Sequence, residues 1–203
     1  MINHIARPLG FSHSGFLAQG EDIISVLKAD NRLVSKLGLT HPDMARPLFH
    51  VWNMILKEIE SAKLKRFSNI RHFYYNGNII DLKAEATKGW QNSIFEDGIQ
   101  GKFDIRISRQ LSQAEKNYLN DHYSELTDQQ KIEIQRKLSR IRFSEMVPFY
   151  IMRYGFYEGH TAFRADPLAL AFIFNLKRLE EIEKAFAGRL YSILTSHFNR
   201  NYP

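Results

Sequence analysis

The segment Arg153-Tyr-Gly-Phe-Tyr-Glu-Gly-His-Thr-Ala-Phe-Arg-Ala-Asp-Pro167 runs directly into Leu168-Ala-Leu-Ala-Phe-Ile-Phe174. Residues 168–174 are apolar at every position, so a helix there has no polar face and must be buried on all sides. The run is too short to span a bilayer and therefore belongs at the centre of a soluble core. Asp166 is the expected N-cap and Pro167 the first helical residue, which predicts a buried central helix over about 167–176. The turn before it gathers Glu158, His160, Arg164 and Asp166 at the positive end of that helix. Unpaired N–H groups there attract anions.

Outward from this segment, the chain reads as one domain, 1–203, with 44% apolar and 25% charged residues, ordinary globular values. Fifteen Phe and nine Tyr predict a core heavy in rings. The absence of cysteine excludes disulfides, thiolate metal sites and cysteine nucleophiles. The first twenty residues lack the apolar core of a signal peptide and no later run is long enough for a membrane span. A cytoplasmic setting without membrane contact is the expectation. The formal net charge of +6 favours anionic partners.

Patterning predicts an α+β fold, predominantly α-helical, with a small three-stranded antiparallel sheet near the middle of the chain. Residues 1–19 read as an irregular arm and 21–37 as helix in two pieces meeting near Asp30. A long helix opens at Thr40 and runs to about Lys65, with Met44, Leu48, Val51, Trp52, Ile55 and Ile59 on one side. Arg46, His50, Asn53 and Lys57 lie on another side, either a solvated face or the wall of a polar cleft.

Residues 71–109 read as a β-meander: strands 71–75 and 79–84 joined at Asn76-Gly77, a long 85–101 connection, then strand 102–109. The connection is expected to be a lid or a short helix near Trp90. Ser112-Gln-Ala-Glu115 and Thr127-Asp-Gln-Gln130 are capping boxes that start two further helices. The second carries Ile134, Leu138 and Ile141 on its apolar stripe, and Glu145 continues that line. A carboxylate so placed needs a partner, with Arg153, Arg164 or Arg46 in view, or acts as an acid or base with a raised pKa. Two amphipathic helices close the chain, separated at Gly188.

No Gly-x-Ser-x-Gly elbow, phosphate-binding loop, dinucleotide fingerprint or paired-histidine metal spacing is present, so neither a cofactor nor a metal is assigned. The leading functional expectation is a small anionic ligand at the 158–166 turn. Arg164 and His160 would contact it, Arg46 and His50 would come from the long helix, and Glu158, His160, Asp166 and Glu145 are the acid–base candidates. The alternative is nucleic-acid binding by a basic helix 131–142 (Lys131, Arg136, Lys137, Arg140, Arg142) and the segment 63–75, where basic residues adjoin Phe73-Tyr-Tyr75. A protein-interaction module using exposed rings is the third class. No pattern in the chain sets its oligomeric state.

Overall fold

The computed structural model describes residues 15–60 and 71–196. The helices are α1 (Ile23–Lys36), α2 (His41–Glu60), α3 (Gln113–His122), α4 (Asp128–Ser139), α5 (Val147–Tyr154), α6 (Pro167–Ile173), α7 (Leu179–Ala185) and α8 (Leu190–Ser196). The strands are β1 (Arg71–Tyr75), β2 (Asn78–Asn92), β3 (Gln100–Ser108) and β4 (Arg140–Ser144), antiparallel throughout and ordered β1-β2-β3-β4.

Helix α6 holds the central position the sequence predicts. All seven of its residues are buried, and α1, α2, α4, α7 and β4 pack around it. Asp166 caps it, accepting from the Leu168 N–H at 2.9 Å, and Pro167 opens it without wasting a donor. Each fully buried Leu, Ile or Phe here contributes roughly 1.5–3 kcal/mol by leaving water. Both predicted capping boxes form, at Ser112 and at Thr127.

The three-stranded, predominantly helical expectation is overturned, because the sheet is larger and the fold is mixed. Residues 140–144, expected to continue a basic helix 131–142, form β4 and pair with β3 from Asp104↔Ser144 to Ser108↔Arg140. The sequence Arg-Ile-Arg-Phe-Ser alternates as cleanly as a strand should, with Ile141 and Phe143 buried and Arg140 exposed. Ile141 satisfies the helical stripe and the strand alternation alike, so period alone does not decide between them. The open edge of β3, with N–H and C=O groups to satisfy, decides for the strand.

The 85–101 connection is likewise not a lid or a helix. Strand β2 runs on to Asn92, with a bulge between Ala86 and Gln91 that absorbs Gly89. Helix α1 is one piece, capped by Asp22 and with Asp30 buried in its interior. The 1–14 part of the N-terminal arm, and Lys63, Lys65 and Arg66, lie outside the described residues.

Alternation divides the sheet into two faces. Phe73, Ile80, Leu82, Ala84, Ile105, Ile107 and Phe143 point to the core. The opposite face carries Tyr74, Asp81, Lys83, Arg106, Arg140 and Arg142. The core itself has two parts, the main one around α6 and a smaller one containing Phe16, Ile23, Ile94, Tyr150 and Phe156. Phe156 enters the smaller part and Tyr157 the larger, so the charged turn that follows sits at the seam between them.

Candidate functional site

The turn 158–166 is an internal lock. Arg164 is 6% exposed and forks onto the Asp30 carboxylate of α1, one of the two contacts being Nη1 to Oδ2 at 3.2 Å. Its Nη1 also donates to the Glu158 carbonyl at 2.6 Å, and its Nε lies 3.5 Å from an Asp166 oxygen. Burial works against the guanidinium charge, but Asp30 and Asp166 outweigh it and push its pKa up. Arg164 is therefore already paired on both sides.

His160 is engaged too. Its ring Nδ1 pairs with Glu21, and its backbone N–H donates to the same carboxylate at 3.0 Å. Glu21 also accepts from the Ala18 N–H at 2.7 Å. Burial works against the Glu21 charge, yet the His160 ring and the Ala18 donor bring its carboxyl below the ordinary range. Gly159 makes this approach possible. A Cβ there would collide with the Glu21 carboxylate and come within 2.9 Å of the Leu17 Cα. Gly159→Ala should accordingly cost about 1–3 kcal/mol, the range for overpacking, seen as a lowered unfolding midpoint in urea.

Glu158 is 3% exposed and sits at φ +64, a left-handed conformation that a non-glycine residue adopts under constraint. Thr161 Oγ1 donates to its carboxylate at 3.2 Å. Burial dominates and pushes the Glu158 carboxyl up to about 8, with Thr161 and Arg164 pulling the other way.

Glu145 is not on a helical stripe, and none of the three expected arginines is its partner. It follows β4 directly and accepts the backbone N–H groups of Lys102 at 2.5 Å and Phe103 at 2.7 Å. Its carboxylate thus continues the β3 ladder where β4 stops. Burial raises its pKa, against those two donors.

Arg46 and His50 do not join the turn in any contact of the described residues. Arg46 is exposed and pairs with Asp43 at 3.2 Å, and His50 packs against the rings of Phe73 and Tyr75. No group of three or more His, Asp or Glu side chains among the described residues converges as a metal would require.

What the structure does assemble is a cleft of about 800 Å³ over the outward face of the sheet. Its floor comes from β2, β3 and β4, and its walls from α4, Leu194 of α8 and the turn from Thr161 to Asp166. The lining carries seven Lys and Arg side chains against three carboxylates. Strand pairing generates much of this excess, because the register sets Lys83 opposite Arg106 and Arg106 opposite Arg142. Like charges placed across neighbouring strands repel, so this row is held only by counter-charge.

Part of that counter-charge is internal. Lys83 pairs with Glu85 at 2.6 Å. Asp104 serves both Arg106 and Arg142, each at 2.7 Å, and Glu85 also lies 3.8 Å from Arg106. Burial works against the Asp104 charge, and the Arg142 and Arg106 guanidinium groups still hold its carboxyl below the ordinary range. Arg142 also lies over the Phe163 ring at 4.2 Å, which fixes it against the turn.

Lys137, expected to contact nucleic acid, is tied to structure by Glu133 at 2.9 Å and the Leu194 carbonyl at 3.0 Å. Lys131 stands near the start of α4, outside the cleft. Arg136 and Arg140 are exposed at the cleft, and no carboxylate among the described residues pairs with either. Lys83 and Arg106, which sequence reasoning missed, are visible in it only as the outward half of two alternating strands.

No helix among the described residues is long and apolar enough to cross a membrane. Comparison of the chain with protein-family models, with characterised proteins and with solved structures gives no match.

Proposed function

We propose that this chain binds an anionic ligand in the basic cleft over the outward sheet face. The observation that carries the reading is the pair of exposed guanidinium groups, Arg136 and Arg140, beside a row of three cations, Lys83, Arg106 and Arg142, that two carboxylates, Glu85 and Asp104, serve. The cleft therefore presents more positive charge than the protein's own acids offset, and an anion supplies the remainder. Its volume is in the range of ordinary ligand sites. Planar guanidinium groups suit phosphoryl and carboxylate oxygens, which they grip in pairs.

Binding, rather than acid–base chemistry, fits the placement of the titratable groups. Of Glu158, His160, Asp166 and Glu145, only Asp166 lines the cleft, and it is occupied as the cap of α6. The role of the 158–166 turn becomes that of a wall, positioned by its internal ion pairs. A cytoplasmic setting is consistent with a chain that has no cysteine.

The test is a thermal-shift titration with inorganic pyrophosphate at low salt. Wild type should be stabilised, and Arg136→Ala combined with Arg140→Ala should abolish the shift. Because both side chains are exposed, each substitution alone should change unliganded stability by no more than about 0.5 kcal/mol. An unshifted wild-type melting curve, or an undiminished shift in the double variant, overturns the reading.

A further inference from the structure

The outward sheet face continues past the cleft, and its next residues are not charged. Beyond the His72↔Asp81 pair on the same face stand Tyr74 and Ile79, directly opposite each other on β1 and β2. Tyr74 is 76% exposed and Ile79 51% exposed. A strand that faced only water would place polar residues here, and these two form a flat apolar step that the His72↔Asp81 pair separates from the Lys83–Arg106–Arg142 row. Alternation puts Tyr74 on the face that carries Lys83, Arg106, Arg140 and Arg142, while Phe73 and Tyr75 turn inward.

We infer that the ligand of this face is a single-stranded nucleic acid, with a base stacked on Tyr74 and successive phosphates over the Lys83–Arg106–Arg142 row and Arg140. The inference rests on the anion-binding reading of the cleft and names the ligand's class. Three facts converge on it. The open ring supplies a stacking surface that accepts any base, and only an unpaired base offers its face to such a ring. The cations extend across three strands, so Lys83 on β2 and Arg142 on β4 are two strand spacings apart, or roughly 10 Å, with Tyr74 one strand further on β1. One phosphate group cannot span that distance, whereas a chain that repeats its anionic group does. The net charge of +6 gives the same preference over the whole molecule.

Acidic peptides and free polyphosphate match the cations but leave Tyr74 and Ile79 unused. A duplex matches the cations but hides its base faces.

The experiment is fluorescence anisotropy with short labelled oligo(dT) and oligo(rU) across a salt series, with inorganic polyphosphate and a duplex of the same length as competitors. Wild type should bind the single strands in preference to both competitors. Tyr74→Ala should weaken binding roughly tenfold and Tyr74→Phe should retain it, since stacking requires the ring and not the hydroxyl. Arg140→Ala should flatten the log K against log salt slope by ~0.7, the value for one fewer phosphate neutralised on a single strand. Circular dichroism melts of the same variants confirm that they fold.

If polyphosphate or duplex competes as well as the single strand, or Tyr74→Ala binds normally, the inference fails. The anion cleft then stands on the pyrophosphate result alone. If neither pyrophosphate nor oligonucleotide binds, both readings fall together.

Discussion

Arg164→Ala is expected to cost about 3–5 kcal/mol of folding stability, a large share of the ~5–15 kcal/mol typical of a domain. The reason is Asp30. Removing the guanidinium leaves a buried carboxylate in the middle of α1 with its counter-charge gone, and also strips the Glu158 carbonyl of its donor. Two costs then add: desolvation of an unpaired charge and loss of the tie between α1 and the turn. The measurement is urea unfolding followed by circular dichroism.

The control is the double variant Arg164→Met with Asp30→Leu. Replacing both ions by apolar groups removes the unpaired charge, so the double variant should recover most of what Arg164→Ala loses. A variant Arg164→Ala as stable as wild type would show that the buried pair does not hold the turn. The same substitution marks the difference between sequence and structure. If Arg164 were the open ligand contact that its position before α6 suggests, it would be dispensable for folding.

The second large effect is a pH dependence from Glu158. Its carboxyl is moved from an ordinary 4.5 up to about 8 in the folded protein, chiefly by burial. A group whose folded pKa is raised binds its proton more tightly when folded. Its contribution to stability is therefore fully present below about pH 4.5 and is lost as pH rises through about 8. The amplitude of that loss is up to ~5 kcal/mol, from ~1.4 kcal/mol for each tenfold change in proton affinity.

Groups such as Glu21 and Asp104, held below their ordinary range, act in the opposite sense at acid pH, so the total curve mixes several titrations. Glu158→Gln separates them. Glutamine keeps an acceptor for Thr161 but has no proton to lose. Wild type and variant should unfold at similar urea concentrations near about pH 5. Near about pH 9 the variant should be the more stable by several kcal/mol. Parallel curves for the two proteins across that range would mean that Glu158 does not titrate within the folded state.

These two residues also show where sequence reading stops. The capping boxes at Ser112 and Thr127, the Asp166 cap, Pro167 at the first position of α6 and the burial of that helix are all legible in the chain. Each depends on residues within a few positions of one another, where backbone geometry and side-chain period set the outcome. The same holds for the Asn76-Gly77 hairpin, whose turn needs positive φ at both residues and has it.

What the chain hides is set by partners far away along it. Asp30 meets Arg164 across 134 positions and Glu21 meets His160 across 139, and no local spacing announces either pair. Residues 140–144 satisfy a helical stripe and a strand alternation alike until β3 offers a free edge. Glu145 satisfies its charge on two backbone N–H groups, where a side-chain partner was the natural expectation. The sequence by itself determined the central helix, its caps and the excess of basic residues. Only the tertiary structure decided which cations are locked and which are open, because strand register and buried ion pairs arise when distant segments meet and exclude water between them.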